Sequence, residues 1–103
     1  MNREELLELA NQLDVPATTA VGLVNYILEG IPSGHFLEAV LSNDLMKAMS
    51  RADFTNRRFL HNTCIFLFNH APARCYGTPR IYKEWVEAGG WVGVEKQEAE
   101  VEE

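Results

Sequence analysis

The chain is 103 residues long, 47% hydrophobic and 23% charged, with a formal charge of −6; this is the size and balance of one globular domain around one core. No apolar run approaches the ~18 residues that a membrane span needs, and the acidic, amphipathic start MNREELLELANQL lacks the basic start and apolar stretch of a secretory signal. Two cysteines without close spacing, Cys64 and Cys75, make no disulfide framework, so a cytoplasmic protein stabilised by packing is expected.

Apolar residues recur at helical spacing almost throughout, and the chain reads as all-α, a compact bundle of about five helices with no sheet. The first helix, about 3–13, puts Leu6, Leu9, Ala10 and Leu13 on one face and ends before Pro16, which biases its predecessor away from helix. The second, about 17–29, carries Ala20, Val21, Val24, Ile27 and Leu28 inward and stops at Gly30. Ser33 is a cap for the third, about 34–49, whose stripe is Leu37, Val40, Leu41, Leu45 and Ala48. Asp44 falls inside that stripe, where a carboxylate is costly unless it is paired, with Arg57, Arg58, His70 or loop amides as expected partners. The fourth helix, about 54–71, capped by Asp53, is apolar nearly all round and is expected to be the central one. Thr78-Pro79 starts the fifth, about 79–88, with Ile81, Tyr82 and Trp85 inward and a stop at Gly89-Gly90. Residues 1–92 therefore form a single helical domain, and 93–103 read as an acidic, flexible, solvated tail.

The charges are segregated along this plan. Residues 45–83 hold seven of the nine Lys and Arg (Lys47, Arg51, Arg57, Arg58, Arg74, Arg80, Lys83) and one acid, Asp53, whereas 1–44 and 84–103 each hold one cation against seven acids. A basic centre of this kind is explained by an anionic ligand, an acidic partner or the chain's own acids. On the predicted helices, Arg57 and Arg58 sit at the start of the fourth and Arg80 near the start of the fifth, with Lys83 on its next turn. Exposed amides and guanidinium groups there converge on an anion such as a phosphate, and cations at a helix start otherwise oppose the macrodipole. The simpler alternative is that Arg57 or Arg58 neutralises Asp44 or another acid of the chain.

Other chemistries are weaker. Asp44 with a histidine would make a general base, but no nucleophile stands near it in sequence, and a structural pair is the simpler reading. His61, Cys64, His70 and Cys75 are metal-capable, yet His70 lies far round the helix from Cys64, so no metal and no cofactor is expected. The fourth helix is too apolar to lie in a duplex groove. Tyr76 and Tyr82, beside Arg74 and Arg80, offer a stacking surface for one base.

Gly30-Ile31-Pro32 with Gly34, Phe36-Leu37, Ala39-Val40-Leu41 and Asn43-Asp44-Leu45 are followed by Ala52-Asp53 with Asn56, then Ala71-Pro72, Cys75, Gly77, Pro79 and Trp85. This string resembles a family of small proteins encoded by tailed bacteriophages and prophages. The resemblance covers about the middle half of the chain and carries no catalytic assignment. It implies an accessory protein in the cytoplasm of an infected bacterium, acting against the host by sequestering a nucleotide signal used in defence or by binding a host protein.

The leading expectation is thus a non-enzymatic binder of a phosphate-bearing small ligand through Arg51, Arg57, Arg58, Arg74, Arg80 and Lys83, with Tyr76 or Tyr82 stacking. The alternative is a protein-binding inhibitor, of anti-CRISPR or host-takeover type, using the acidic first helix or the tail. A hydrolase built on Asp44 and a histidine is the third. A homodimer or larger assembly is expected, with Trp91, Val92 and Val94 as an interface strip.

Overall fold

The computed structural model describes residues 1–102 and is all-helical, with no strand among them. Helix α1 (Arg3–Gln12) begins where the Asn2 side chain accepts from the amides of Glu4 and Glu5, at 2.8 and 3.3 Å. Its two early glutamates also suit the positive end of the helix dipole. It lies along α2 (Ala17–Glu29), tied at one end by Arg3, which donates to Asn25 and bridges Glu29 at 2.6 Å.

Helix α2, not the predicted fourth helix, occupies the centre. Leu23, Val24, Tyr26 and Ile27 are wholly buried there, and α1, α3 (His35–Leu41) and the last helix, α8 (Gly90–Glu102), pack around it. The reason is that α2 has no charged residue before Glu29, so it can be enclosed from several sides. Only Val21, placed inward by the sequence pattern, points out.

Two predicted helices are each broken in two. The 34–49 segment ends as α3 at Leu41, Asn43 takes a left-handed conformation (φ 61°), and α4 (Leu45–Arg51) restarts with Asp44 as its cap. Asn tolerates that region because its short polar side chain bonds locally. The 54–71 segment divides at Phe59 into α5 (Phe54–Arg58) and α6 (Leu60–His70). Helix α6 buries Leu60, Thr63, Phe66 and Leu67 but leaves Cys64 and Phe68 exposed, so it lies at the side of the bundle. A single 3-10 turn, Ala73–Cys75, leads to α7 (Pro79–Ala88), which starts at the Thr78 cap and stops at Gly89 as its sequence predicts.

The segment read as a solvated acidic tail is helical as far as Glu102; its last residue, Glu103, lies outside the described residues. Val94 is buried, and Trp91 packs against the core half-buried. This helix is admitted by a glycine contact. Gly30 and Gly90 both have positive φ (67° and 69°), and a Cβ on Gly30 would stand 2.6 Å from the Gly90 nitrogen. Two backbones can meet this closely only without side chains.

Candidate functional site

The buried polar groups between α2 and α7 form a structural lock. Trp85 Nε1 donates to the carbonyl of Tyr26 (3.0 Å), and the Tyr26 hydroxyl donates to the carbonyl of Cys75 (2.7 Å). The Tyr26 ring stacks on Tyr82 at 5.1 Å with 7° between planes, and the Tyr82 oxygen accepts from the Ser33 amide at 3.0 Å. Burial raises the Tyr26 hydroxyl far above its ordinary value, and it pushes the Cys75 thiol up to about 12. A thiol held neutral in this way is a core group rather than a nucleophile.

Asp44 needs no buried partner. Its carboxylate accepts from the Lys47 amide at 3.1 Å and lies 3.8 Å from the Lys47 ammonium, at the edge of the bundle. Helix interruption at Asn43 has turned the anomalous core carboxylate into an ordinary cap. Neither Arg57, Arg58 nor His70 pairs with it: Arg57 donates to the carbonyl of Ala52 (3.3 Å), Arg58 lies over the Phe59 ring (5.5 Å), and His70 rests on Phe66. Among the described residues no three His, Cys, Asp or Glu side chains come together to hold a metal ion.

The placement of the cations is also revised. Because α5 ends at Arg58, Arg57 and Arg58 occupy the last turn of a short helix, where the dipole favours them. The start of α5 is satisfied by Asp53, which accepts from Asn56 N at 2.7 Å. The start of α7 is likewise satisfied by Thr78, which accepts from Ile81 N at 3.1 Å. In the second cluster, Arg74 bridges Glu98 on α8 and Arg80 bridges Glu84, both at 3.0 Å. Tyr76 packs against the core. Tyr82 and Lys83 line a groove of about 390 Å³ with Pro32, Pro79 and two acids, Glu38 and Glu87.

Arg51 differs from these. It ends α4 and lines a cleft of about 390 Å³ with Thr18, Thr19, His35, Phe36, Asp53 and Asn56. One guanidinium nitrogen donates to the His35 carbonyl at 3.2 Å, which aims the group without neutralising it. The start of α2 lines the same cleft through Thr18 and Thr19. Its cap position is Pro16, with no side-chain cap bond, so the first-turn amides around Thr18 and Thr19 keep their donor capacity. Thr19 donates its hydroxyl to the Asn56 side-chain oxygen at 2.5 Å, joining α2 to α5 through two residues that line the cleft. Asn56 then has its amide hydrogens to offer. Of this set, only Arg51 is legible as a candidate in the sequence. Thr18, Thr19, His35, Phe36 and Asn56 come from three separated segments, and the sole local signal is a helix start at Pro16 that lacks a capping side chain.

The structure is thus an all-α bundle with a polar, arginine-bearing cleft beside an uncapped helix start. No protein-family model matches the chain, and no curated protein or solved structure shows significant similarity to it. No helix is long and apolar enough to cross a membrane among the described residues.

Proposed function

We propose that this chain is a binding protein that sequesters a phosphate-bearing small molecule, such as a signalling nucleotide, in the α2–α4–α5 cleft. The observation that carries the reading is that Arg51 and a helix start that no side chain caps line the same cleft. Backbone amides and a guanidinium together bind phosphate oxygens through short, charge-assisted hydrogen bonds. Phe36 and His35 add flat side chains against which a base can lie. A volume of about 390 Å³ falls at the lower end of small-molecule sites. The bacteriophage resemblance supplies the setting, an anti-defence accessory protein acting in the host cytoplasm.

A thermal-shift panel of cyclic and linear nucleotides tests the reading. Stabilisation by at least one member, abolished in Arg51→Gln, is expected, since a ligand that binds only the folded state raises its stability. No shift with any member, or an equal shift in Arg51→Gln, refutes it.

A protein-binding inhibitor acting through acidic surfaces is the second reading, and one observation favours it. Glu5 and Glu8 line a groove of about 290 Å³ on α1 with Leu9 and Gln12. It predicts that Glu5→Lys with Glu8→Lys abolishes anti-defence activity in infected cells while leaving nucleotide binding intact. Unchanged activity removes it.

A further inference from the structure

The cleft that Arg51 lines is not uniformly basic. Asp53, two residues further along the chain, belongs to the same lining, and no lysine or second arginine joins them there among the described residues. Neither charge is neutralised inside the protein. Arg51 donates to the His35 carbonyl at 3.2 Å, and Asp53 accepts the Asn56 amide at 2.7 Å as the cap of α5. The ion pairs among the described residues lie elsewhere, on Arg3, Lys47, Arg74 and Arg80.

These two charges set how much negative charge the cleft can take. Seen from a distance the guanidinium and the carboxylate cancel, and what remains is the positive end of α2, equivalent to about half a charge. An incoming phosphate gains direct bonds from Arg51 and the first-turn amides. Every negative charge beyond the first, however, meets Asp53 with no second cation in the lining to offset it. A phosphodiester carries a single negative charge. A terminal phosphate ester carries about −1.5 to −2 near neutral pH, and a triphosphate carries more. A cleft of about 390 Å³, near the lower end for small-molecule sites, also suits a compact ring-closed ligand better than an extended polyphosphate.

We infer, resting on the phosphate reading of this cleft, that its ligand is a singly charged phosphodiester, a cyclic mononucleotide, and that Asp53 is the specificity residue that turns away nucleoside monophosphates and triphosphates. Arg51 binds and Asp53 selects. The selection is by charge rather than shape, so an uncharged isostere at position 53 removes it. Asparagine caps a helix about as well as aspartate does, so the start of α5 survives that change.

Isothermal titration calorimetry of the full chain tests this, with the cyclic monophosphates, 5′-monophosphates and 5′-triphosphates of adenosine, guanosine, cytidine and uridine. The titrations are run at pH 8, where an ordinary imidazole is uncharged, and at low salt without divalent cations, so that the triphosphates keep their charge. For the base that binds, the cyclic form is expected to bind at least about tenfold more tightly than the triphosphate, with the monophosphate between them. Asp53→Asn is expected to bring the triphosphate within about threefold of the cyclic form, chiefly by strengthening triphosphate binding. Thr18→Lys, which adds a cation at an exposed position of the lining, is expected to do the same, with circular dichroism confirming the fold of both variants. A triphosphate that binds the unmodified chain as tightly as the cyclic form overturns the inference and leaves the phosphate reading standing. A preference for the cyclic form that both substitutions leave unchanged does the same. Binding of no nucleotide at all overturns both.

Discussion

At the scale of single residues, Gly30 and Gly90 carry the heaviest constraint. Both are left-handed and in backbone contact, so Gly30→Ala combines a conformational cost of about 1–2 kcal/mol with displacement of α8. Urea unfolding is expected to show a loss of about 2–4 kcal/mol; a change below about 0.5 kcal/mol would refute the contact. The buried thiol makes a second prediction. In the unfolded chain Cys75 ionises around 9.0, but in the fold its value is about 12, chiefly because of desolvation by burial. A raised value means that the neutral form is favoured in the fold. The resulting stability is complete below pH 9.0 and declines as pH rises toward about 12. Cys75→Ala should flatten that alkaline decline, and a thiol reagent at neutral pH should modify exposed Cys64 well before Cys75; equal rates would contradict the burial. The sequence marks Gly30 as a helix stop and Gly89-Gly90 as another. That the two stops touch is a tertiary fact with no local signature.

At the scale of elements, the type of structure is legible and its interruptions are not. The apolar period predicts helix across 34–49 and 54–71, and every residue of α3, α4, α5 and α6 lies in those spans or within two residues of them. The breaks come from capping chemistry that competes with the period: Asn43 turns left-handed and Asp44 takes the Lys47 amide. Asp44 inside the apolar stripe was the sign of that break, and its deeper cause was local rather than a buried ion pair. Asp44→Ala is accordingly expected to cost about 1 kcal/mol, as loss of a cap does, in a thermal melt. A loss above about 3 kcal/mol would restore the buried-pair interpretation. The sequence pattern predicts a central position for 54–71 for a related reason: apolar content alone does not distinguish an enclosed helix from one that leaves apolar side chains such as Cys64 and Phe68 exposed.

At the scale of the whole molecule, five of the seven clustered cations fall into three arrangements. Arg74 and Arg80 are matched by Glu98 and Glu84, exposed pairs of a kind that contributes about 0–1 kcal/mol each. Arg57 and Arg58 stand in the last turn of α5. Arg51 lines the cleft at the start of α2, with Asp53 in the same lining. The acidic carboxy-terminal run therefore has a structural part to play, since one of its glutamates reaches back to the basic centre. The central claim is that the Arg51 cleft receives a phosphate group. Its most direct test is a titration of the ¹⁵N-labelled chain with inorganic phosphate and then with the best nucleotide from the thermal-shift panel, followed by amide and arginine side-chain resonances. Shifts centred on Thr18, Thr19, His35, Asn56 and the Arg51 guanidinium are expected, growing to saturation with the nucleotide. Shifts centred instead on Arg74, Arg80 and Lys83, or no saturable shift at Arg51, would contradict the account.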